Sequence, residues 1–152
     1  MSSTAGAWRA ARFRFASSDR ARPRAPTYKA GEWLAVSGTT SFDSDGKIVG
    51  HGHMYSQARQ AIANIAAALE RAGATLGDVV RTRVYATDLM RFAEIARAHR
   101  EIFEAAPPAS TVVEERPLVH PDMLVESEAA AYTRLPPRVL PQLRSSRARD
   151  AK

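Results

Sequence analysis

The 152-residue sequence contains no cysteine, which excludes disulfide bonds, thiolate nucleophiles and cysteine-bound metal ions. It also lacks any apolar run close to the roughly 20 residues that cross a bilayer, and no uninterrupted hydrophobic segment follows the N-terminus. The hydrophobic content of 45% is ordinary for a single globular domain of this length. We therefore expect a soluble, cytoplasmic protein that contacts no membrane.

Acidic residues are scarce at both ends of the chain. Residues 1–30 carry a net charge of +6 and residues 134–152 carry +5, which leaves −5 on residues 31–133. A nucleic-acid-binding domain needs a basic face on its folded body, with groups that stack on bases or a known module. The acidic body does not have this pattern, so we expect at most weak, salt-dependent contacts between the basic ends and polyanions.

The distribution of charge and proline divides the chain into three parts. Residues 1–11 are predicted to be a disordered basic arm, residues 12–133 one domain, and residues 134–152 a flexible basic tail. The prolines of the tail exclude a stable helix there.

The hydrophobic pattern of the domain predicts strands, a helix, a strand, a second helix and further strands. Alternating or β-branched residues predict the strands, at 12–15, 27–40 (a hairpin), 78–87, 110–114 and 123–129. Apolar residues at three- and four-residue spacing predict one helix from Met54 to Ala72 and a second one capped by Asp88. This order is typical of an α+β fold with both helices on one face of the sheet.

Most residues able to do chemistry lie between 107 and 132. The alternation of the last predicted strand places Glu126 and Glu128 on the same face of the sheet. Earlier in the chain, Gly38 interrupts an apolar strand. A glycine in a strand often marks a bulge or the close approach of another group to the backbone.

Two features could be taken for metal sites, and neither has a full set of ligands. The turn at 42–47 lacks the twelfth-position glutamate and the flanking helices of a calcium loop. The pair His51 and His53 has no third ligand in view. His99 lies on the apolar stripe of the second helix and is interpreted as a packed residue, not a catalytic base. We therefore expect no metal and no cofactor.

Several segments resemble one known family. The runs Pro-Ala-Ser-Thr-Val-Val-Glu at 108–114 and Val-Glu-Ser-Glu-Ala at 125–129 are similar to the last two strands of the Rid family, the reactive intermediate deaminases, also called YjgF-like or endoribonuclease L-PSP-like proteins. Further matches are Val-Ser-Gly at 36–38, Gln-Ala-Arg-Gln at 57–60 and Thr-Asp-Leu at 87–89. The resemblance implies a chorismate-mutase-like ββαβαββ fold with a mixed sheet. It also implies a homotrimer with a small-molecule cleft between each pair of subunits.

The family's substrate-binding arginine is replaced by Ser110, so the chain resembles a divergent branch. The resemblance makes Glu126 and Ser110 the candidate catalytic residues, with Glu126 placing a water molecule. The alternative for Glu126 is a sheet-face carboxylate paired with an arginine. The candidate ligand contacts are Ser37, Gly38, Thr111, Val112 and Arg24, the last as a replacement guanidinium. We do not expect Ser110 to be a nucleophile, because no motif places a base beside it.

Three functions remain open at this point. The first is hydrolysis, that is deamination, of a small imine, enamine or related metabolite; 2-imino acids are disfavoured because a serine hydroxyl does not replace a bidentate guanidinium. The second is a non-catalytic trimer that binds a metabolite or another protein through the same cleft. The third, ribonuclease activity or inhibition of translation, fits worst with an acidic body.

Overall fold

The computed structural model of the chain describes residues 27–115 and 117–133. In these residues the elements follow one another in the order ββαβαββ, which confirms the expected α+β fold. The strands are β1 (Thr27–Ala30), β2 (Trp33–Thr39), β3 (Val79–Ala86), β4 (Ala109–Glu114) and β5 (Val125–Tyr132). The helices are α1 (Met54–Arg71) and α2 (Phe92–Phe103). Neither of these described helices is long and apolar enough to cross a membrane.

Several sequence predictions fall outside the described residues. They are the strand at 12–15, the basic arm at 1–11, the basic tail at 134–152 and the ligand contact by Arg24. These stay predictions.

The five strands form one mixed sheet in the order β1-β2-β5-β3-β4. β3 and β4 are parallel, and the other neighbouring pairs are antiparallel. The last two strands of the chain are therefore not neighbours, because β5 is inserted between β2 and β3 while β4 forms the edge beside β3. This order brings Arg83 into register with Glu128, 45 positions later.

Both helices pack on one face of the sheet. The apolar stripe predicted for α1 is buried, and its Ile65 and Leu69 pack with Leu34 of β2. A second cluster joins the start of α1 to α2 and to the sheet, and it includes Ile95 and Val84. Because burying a Leu, Ile or Val side chain stabilises the fold by about 1.5–3 kcal/mol, this face holds the core. None of the described helices covers the opposite face of the sheet.

The second helix begins one turn later than predicted. The side chain of Asp88 does act as a cap, accepting a hydrogen bond from the Met90 backbone nitrogen at 2.9 Å, but the segment that it caps is the short 3-10 turn Leu89–Arg91. The α-helix starts at Phe92, which is 48% exposed and does not belong to the buried stripe. The periodicity of the apolar residues alone does not reveal this intervening turn.

Candidate functional site

The sheet face that the helices leave open, called the open face below, carries a row of polar side chains. Glu126 and Glu128 of β5 lie on it, as the alternation predicts, while Val125 and Ser127 point to the helices and are buried. On the neighbouring strand, Arg83 Nη1 lies 2.5 Å from Glu128 Oε1. An arginine partner is thus present on this face, and it holds Glu128.

Tyr85 continues this row along β3, in register with Glu126. Hydrogen bonding to Tyr85, and then the charge of Glu128, raises the pKa of the Arg83 guanidinium above its ordinary value. The guanidinium therefore remains cationic at any physiological pH. Because the ion pair is partly exposed, it adds little to stability and acts mainly by orienting its side chains.

Gly38 and Glu126 are in direct contact on the open face. A Cβ atom built on Gly38 would lie 1.9 Å from Oε1 and 2.9 Å from Cδ of Glu126, closer than real Cβ atoms approach any group. Gly38 is not among the glycines with positive φ, so the position requires the absence of a side chain and not an unusual backbone angle. The close approach inferred from the sequence is therefore present, and its partner is the Glu126 carboxylate.

A β-bulge at Ser37 and Gly38 shapes this contact. The register between β2 and β5 shifts there, so that the segment from Val36 to Thr39 lies opposite residues 127–129. Ser37 and Gly38 are both exposed, and the Thr39 hydroxyl donates to the Ser37 carbonyl oxygen at 2.8 Å. Bulges redirect side chains at functional positions, and this one brings Gly38 against Glu126 while leaving the preceding Ser37 exposed.

Gln57 of α1 fixes the loop that enters β5. Its side chain is fully buried; Nε2 donates to the Asp122 carbonyl oxygen at 2.9 Å, and Oε1 accepts from the Leu124 backbone nitrogen at 2.8 Å. One amide thus satisfies two backbone groups, and Leu124, which carries the second group, lies two positions before Glu126. The position of the carboxylate is therefore coupled to the first helix.

The edge strand β4 presents its predicted site residues to two different faces. Thr111 is in register with Arg83 and so lies on the open face. The Ser110 hydroxyl, in contrast, forms a 2.9 Å hydrogen bond with the hydroxyl of Thr82, which is 1% exposed and lies under the helices. Val112 follows Ser110 on that side and packs against the second core cluster. Within one chain, Ser110 and Val112 are therefore separated by the sheet from the open face.

His99 is packed, as the sequence predicts, and it also reaches the sheet. Its ring lies 4.6 Å from the ring of Phe103, and its Nε2 is 3.0 Å from Thr82 Oγ1. Burial lowers the pKa of this imidazole below its ordinary value. The imidazole is therefore neutral at neutral pH and connected through Thr82 to Ser110.

Two other histidines contact Asp122 outside the open face. His51 Nε2 lies 3.1 Å from Asp122 Oδ2, whereas His120 Nδ1 accepts a hydrogen bond from the Asp122 backbone nitrogen at 3.2 Å. His53 is instead the residue before α1. Among residues 27–115 and 117–133, no group of three or more histidine, aspartate or glutamate side chains is arranged to hold a metal ion.

The structure thus divides the predicted site. It brings Ser37, Gly38, Thr111 and Glu126 to the open face, and it leaves Ser110 and Val112 on the other side of β4. The sequence interpretation missed the roles of Arg83, Tyr85 and Gln57. Gln57 carried the clearest available signal, since it is a polar residue beside the apolar stripe of a predicted helix.

The fold and this site define an α+β protein of chorismate-mutase-like architecture. Residues 21–133 match the model of the endoribonuclease L-PSP family, and the chain belongs to this family, whose members include the YjgF and RutC proteins. A RutC family protein of Pyrococcus abyssi is 37% identical over 110 residues, which are 72% of this chain and 86% of the relative.

Two solved structures show the same fold. A Mycobacterium tuberculosis member of the YjgF/YER057c/UK114 family is 38% identical, with a TM-score of 0.65 over 72% of this chain and 86% of that one. TdcF of E. coli, solved with bound serine, is 28% identical, with a TM-score of 0.68 over 73% of this chain and 88% of that one.

Proposed function

We propose that this protein is a Rid-type hydrolase that converts a small imine or enamine and water into a carbonyl compound and ammonia. The observation that carries the proposal is the contact between Gly38 and the Glu126 carboxylate on the open face. A glycine that leaves room for one carboxylate holds that group in a defined place, and Ser37, the residue before this glycine, is exposed.

The reaction needs a group that holds a water molecule against the imine carbon. A carboxylate accepts a hydrogen bond from that water and takes its proton as the oxygen bonds to carbon, while the C=N electron pair moves to nitrogen. The proton then goes to the nitrogen, which gives a carbinolamine. The hydroxyl proton of the carbinolamine is next transferred to the nitrogen, and the C–N bond breaks so that ammonia leaves as the carbonyl forms. Glu126 is the residue proposed for this role, and Thr111 and Ser37 are proposed as ligand contacts on the same face.

The cleft is proposed to lie between two subunits of a homotrimer. Within one chain, Ser110 faces the helices and Glu126 faces away from them, so the two meet a common ligand only if the β4 edge of one copy approaches the open face of another. Exposed aromatic residues on that face support such an approach. Trp33 is 44% exposed and pairs across the strands with Tyr132, and Tyr28 lies nearby.

The first experiment measures ammonia release from freshly generated 2-aminoacrylate and from a branched 2-imino acid. Glu126→Gln should lower turnover by about 100-fold or more, because a neutral amide does not take the proton of water. Glu70→Gln, the same change on the exposed side of α1, is the matched control and should leave turnover unchanged. Turnover that survives in Glu126→Gln would refute the proposal.

The Ser110→Arg variant belongs in the same assay. Activity toward the carboxylate-bearing substrates only in this variant would mean that the cleft is intact and selects a different ligand in the wild type. Activity already in the wild type would mean that a guanidinium at this position is not needed for these substrates.

A second function, metabolite binding without catalysis, is favoured by the presence of Ser110 in place of a charged clamp. The serine bound to TdcF supports a ligand of amino-acid size, and serine itself has no imine to hydrolyse. If the chain is only a binding protein, ligands without a carbonyl or imine group will raise the melting temperature, by an amount that corresponds to about 2.7 kcal/mol at 100 times Kd, and no ammonia will be released.

Ribonuclease activity, which the family name mentions, receives no support from the histidines. His51 Nε2 lies 3.1 Å from the Asp122 carboxylate, and His120 Nδ1 accepts a hydrogen bond from the Asp122 backbone nitrogen, so both rings are engaged by this one residue. Residues 31–133 also carry a net negative charge.

The proposed trimer is tested by light scattering after gel filtration. Trp33→Lys puts a charge on the exposed aromatic patch of the open face and should dissociate the oligomer. Phe92→Lys changes an equally exposed aromatic residue at the start of α2 and should leave the assembly intact. A wild-type monomer, or equal effects of the two variants, would contradict the subunit arrangement.

A further inference from the structure

The replacement of the expected arginine by Ser110 does not leave an isolated hydroxyl. Ser110 Oγ is 2.9 Å from Thr82 Oγ1, and Thr82 Oγ1 is 3.0 Å from His99 Nε2. The chain runs from an exposed residue of the edge strand, through a buried hydroxyl, to a half-buried imidazole of α2. The three groups come from three separate elements and form one continuous hydrogen-bonded series.

The middle group of this series has a single proton, which limits the series to two arrangements. If Thr82 donates to Ser110, it must accept from His99, which then carries its proton on Nε2. If Thr82 donates to His99 Nε2 instead, it accepts from Ser110, and the imidazole carries its proton on Nδ1. In the first arrangement Ser110 accepts from Thr82, so its own proton is available to a ligand. In the second arrangement Ser110 donates to Thr82, so its lone pairs are available instead.

We propose that His99 determines, through Thr82, whether Ser110 presents a hydrogen-bond donor or an acceptor to a ligand. The inference rests on the proposed function in one respect, namely that Ser110 contacts the ligand. His99 and Thr82 are positioning residues, and Ser110 is the specificity-determining residue that they control. Where an arginine would offer donors only, this series offers either polarity.

This property defines the chemical class of ligand. A carboxylate or carbonyl oxygen is bound with the Nε2–H tautomer of His99, and an amine or imine N–H group with the Nδ1–H tautomer. A small molecule that has both groups, or a reaction that converts an imine into a carbonyl at this point, is accommodated by a change of tautomer without a charged side chain. The burial of His99 supports the neutral imidazole that both arrangements need.

The test follows the tautomer of His99 in the full-length protein by ¹⁵N NMR at about pH 8, where a histidine is neutral. The His99 signal is identified by its loss in His99→Gln. Ser110→Ala leaves Thr82 with only His99 as an acceptor within the series, so the Nδ1–H form should increase by about fivefold, the factor that one hydrogen bond contributes to an equilibrium. Ser110→Asp supplies a pure acceptor, so the Nε2–H form should increase.

Thr82→Val interrupts the series while keeping a branched side chain of similar shape, and Thr82→Ser keeps the hydroxyl as its control. In the Thr82→Val background, the two Ser110 variants should no longer differ in the tautomer of His99. If Thr82→Val does not fold, the opposite shifts in Ser110→Ala and Ser110→Asp still decide the matter, because both changes are at an exposed edge. Equal tautomer populations in these two variants would overturn the proposal.

A ligand titration separates this inference from the proposed function. Pyruvate, which offers only acceptor oxygens, should increase the Nε2–H tautomer of His99 in the wild type and not in Thr82→Val. A different result is that the Ser110 variants shift the tautomer and saturating pyruvate does not. The hydrogen-bonded series then exists but Ser110 does not contact such a ligand, which overturns the role of Ser110 in specificity. The titration measures the tautomer of His99 and not ammonia release, so its result does not depend on whether the protein is catalytically active.

Discussion

The substitution Gly38→Ala should separate stability from activity in this protein. Its added methyl group would overlap Oε1 of Glu126, at 1.9 Å, where real contacts do not fall below 3.0 Å. The Glu126 carboxylate must therefore move by more than about 1 Å, and it is able to do so because it is the end of a flexible side chain. The backbone of Gly38 needs no change, since its φ is not positive.

The two expected effects differ in size. Forcing Glu126 from its rotamer destabilises the fold by about 0.5–1.5 kcal/mol. Replacing glycine by alanine stabilises it by about 0.4–1 kcal/mol, because alanine restricts the unfolded chain. The net loss of stability should therefore be below about 1 kcal/mol. In contrast, moving a catalytic group by about 1 Å lowers turnover by about 100-fold.

Urea unfolding of a double-mutant cycle tests the cause. In a Glu126→Ala background the three atoms nearest to the new methyl group are absent, so Gly38→Ala should become neutral or slightly stabilising. The coupling energy should be about 1 kcal/mol. Gly77→Ala is the matched control, because its new methyl group would meet only the Thr75 hydroxyl, at an ordinary 3.4 Å.

Two results would refute this reasoning. If the effects of Gly38→Ala and Glu126→Ala on unfolding add within about 0.5 kcal/mol, the contact between them does not constrain the carboxylate. If Gly38→Ala keeps full turnover toward a substrate whose turnover needs Glu126, the position of the carboxylate is not what the glycine protects.

Three further predictions concern the framework. Gln57→Leu leaves two backbone groups of the loop before β5 without their hydrogen-bond partner and should lower the free energy of unfolding in urea by about 2–4 kcal/mol. The control Gln60→Leu loses one hydrogen bond within α1 and should lower it by less than about 1 kcal/mol. Because burial lowers the pKa of His99, the folded state takes up its proton less readily than the unfolded state; stability should fall as the pH decreases below about 6.5, and His99→Gln should flatten that part of the profile. Deletion of residues 134–152 should leave the melting temperature unchanged, and a large decrease would contradict the interpretation of this segment as a tail.

Local features of the sequence predict much of this fold. Alternation is sufficient to place Glu126 and Glu128 together, because a strand has only two faces. The helical stripe that ends at Leu69 is equally local, since it depends on spacing within one element. Gly38 could be singled out for the same reason, as a residue that does not suit the middle of an apolar strand.

The pairing of distant segments could not be predicted in this way. The contact between Arg83 and Glu128 depends on β5 entering the sheet between β2 and β3, and nothing in either strand specifies that neighbour. The face on which Ser110 lies depends on the parallel register of β4 with β3, in which Ser110 stands beside Thr82. A shift by one residue would exchange the faces of Ser110 and Thr111.

That register also determines what the loss of the arginine means for the site. A serine hydroxyl is short, so at this position it stays within its own subunit and bonds Thr82. An arginine would begin at the same exposed edge, extend beyond it and leave Thr82 with His99 alone. Ser110→Arg therefore makes two changes at once, adding a charged clamp and removing a partner from the hydrogen-bonded series. Comparing Ser110→Arg in the wild-type and Thr82→Val backgrounds separates the two changes. If Ser110→Arg also raises turnover of carboxylate-bearing substrates in the Thr82→Val background, the added charge causes the gain. If the gain disappears in that background, the loss of a partner from the hydrogen-bonded series causes it.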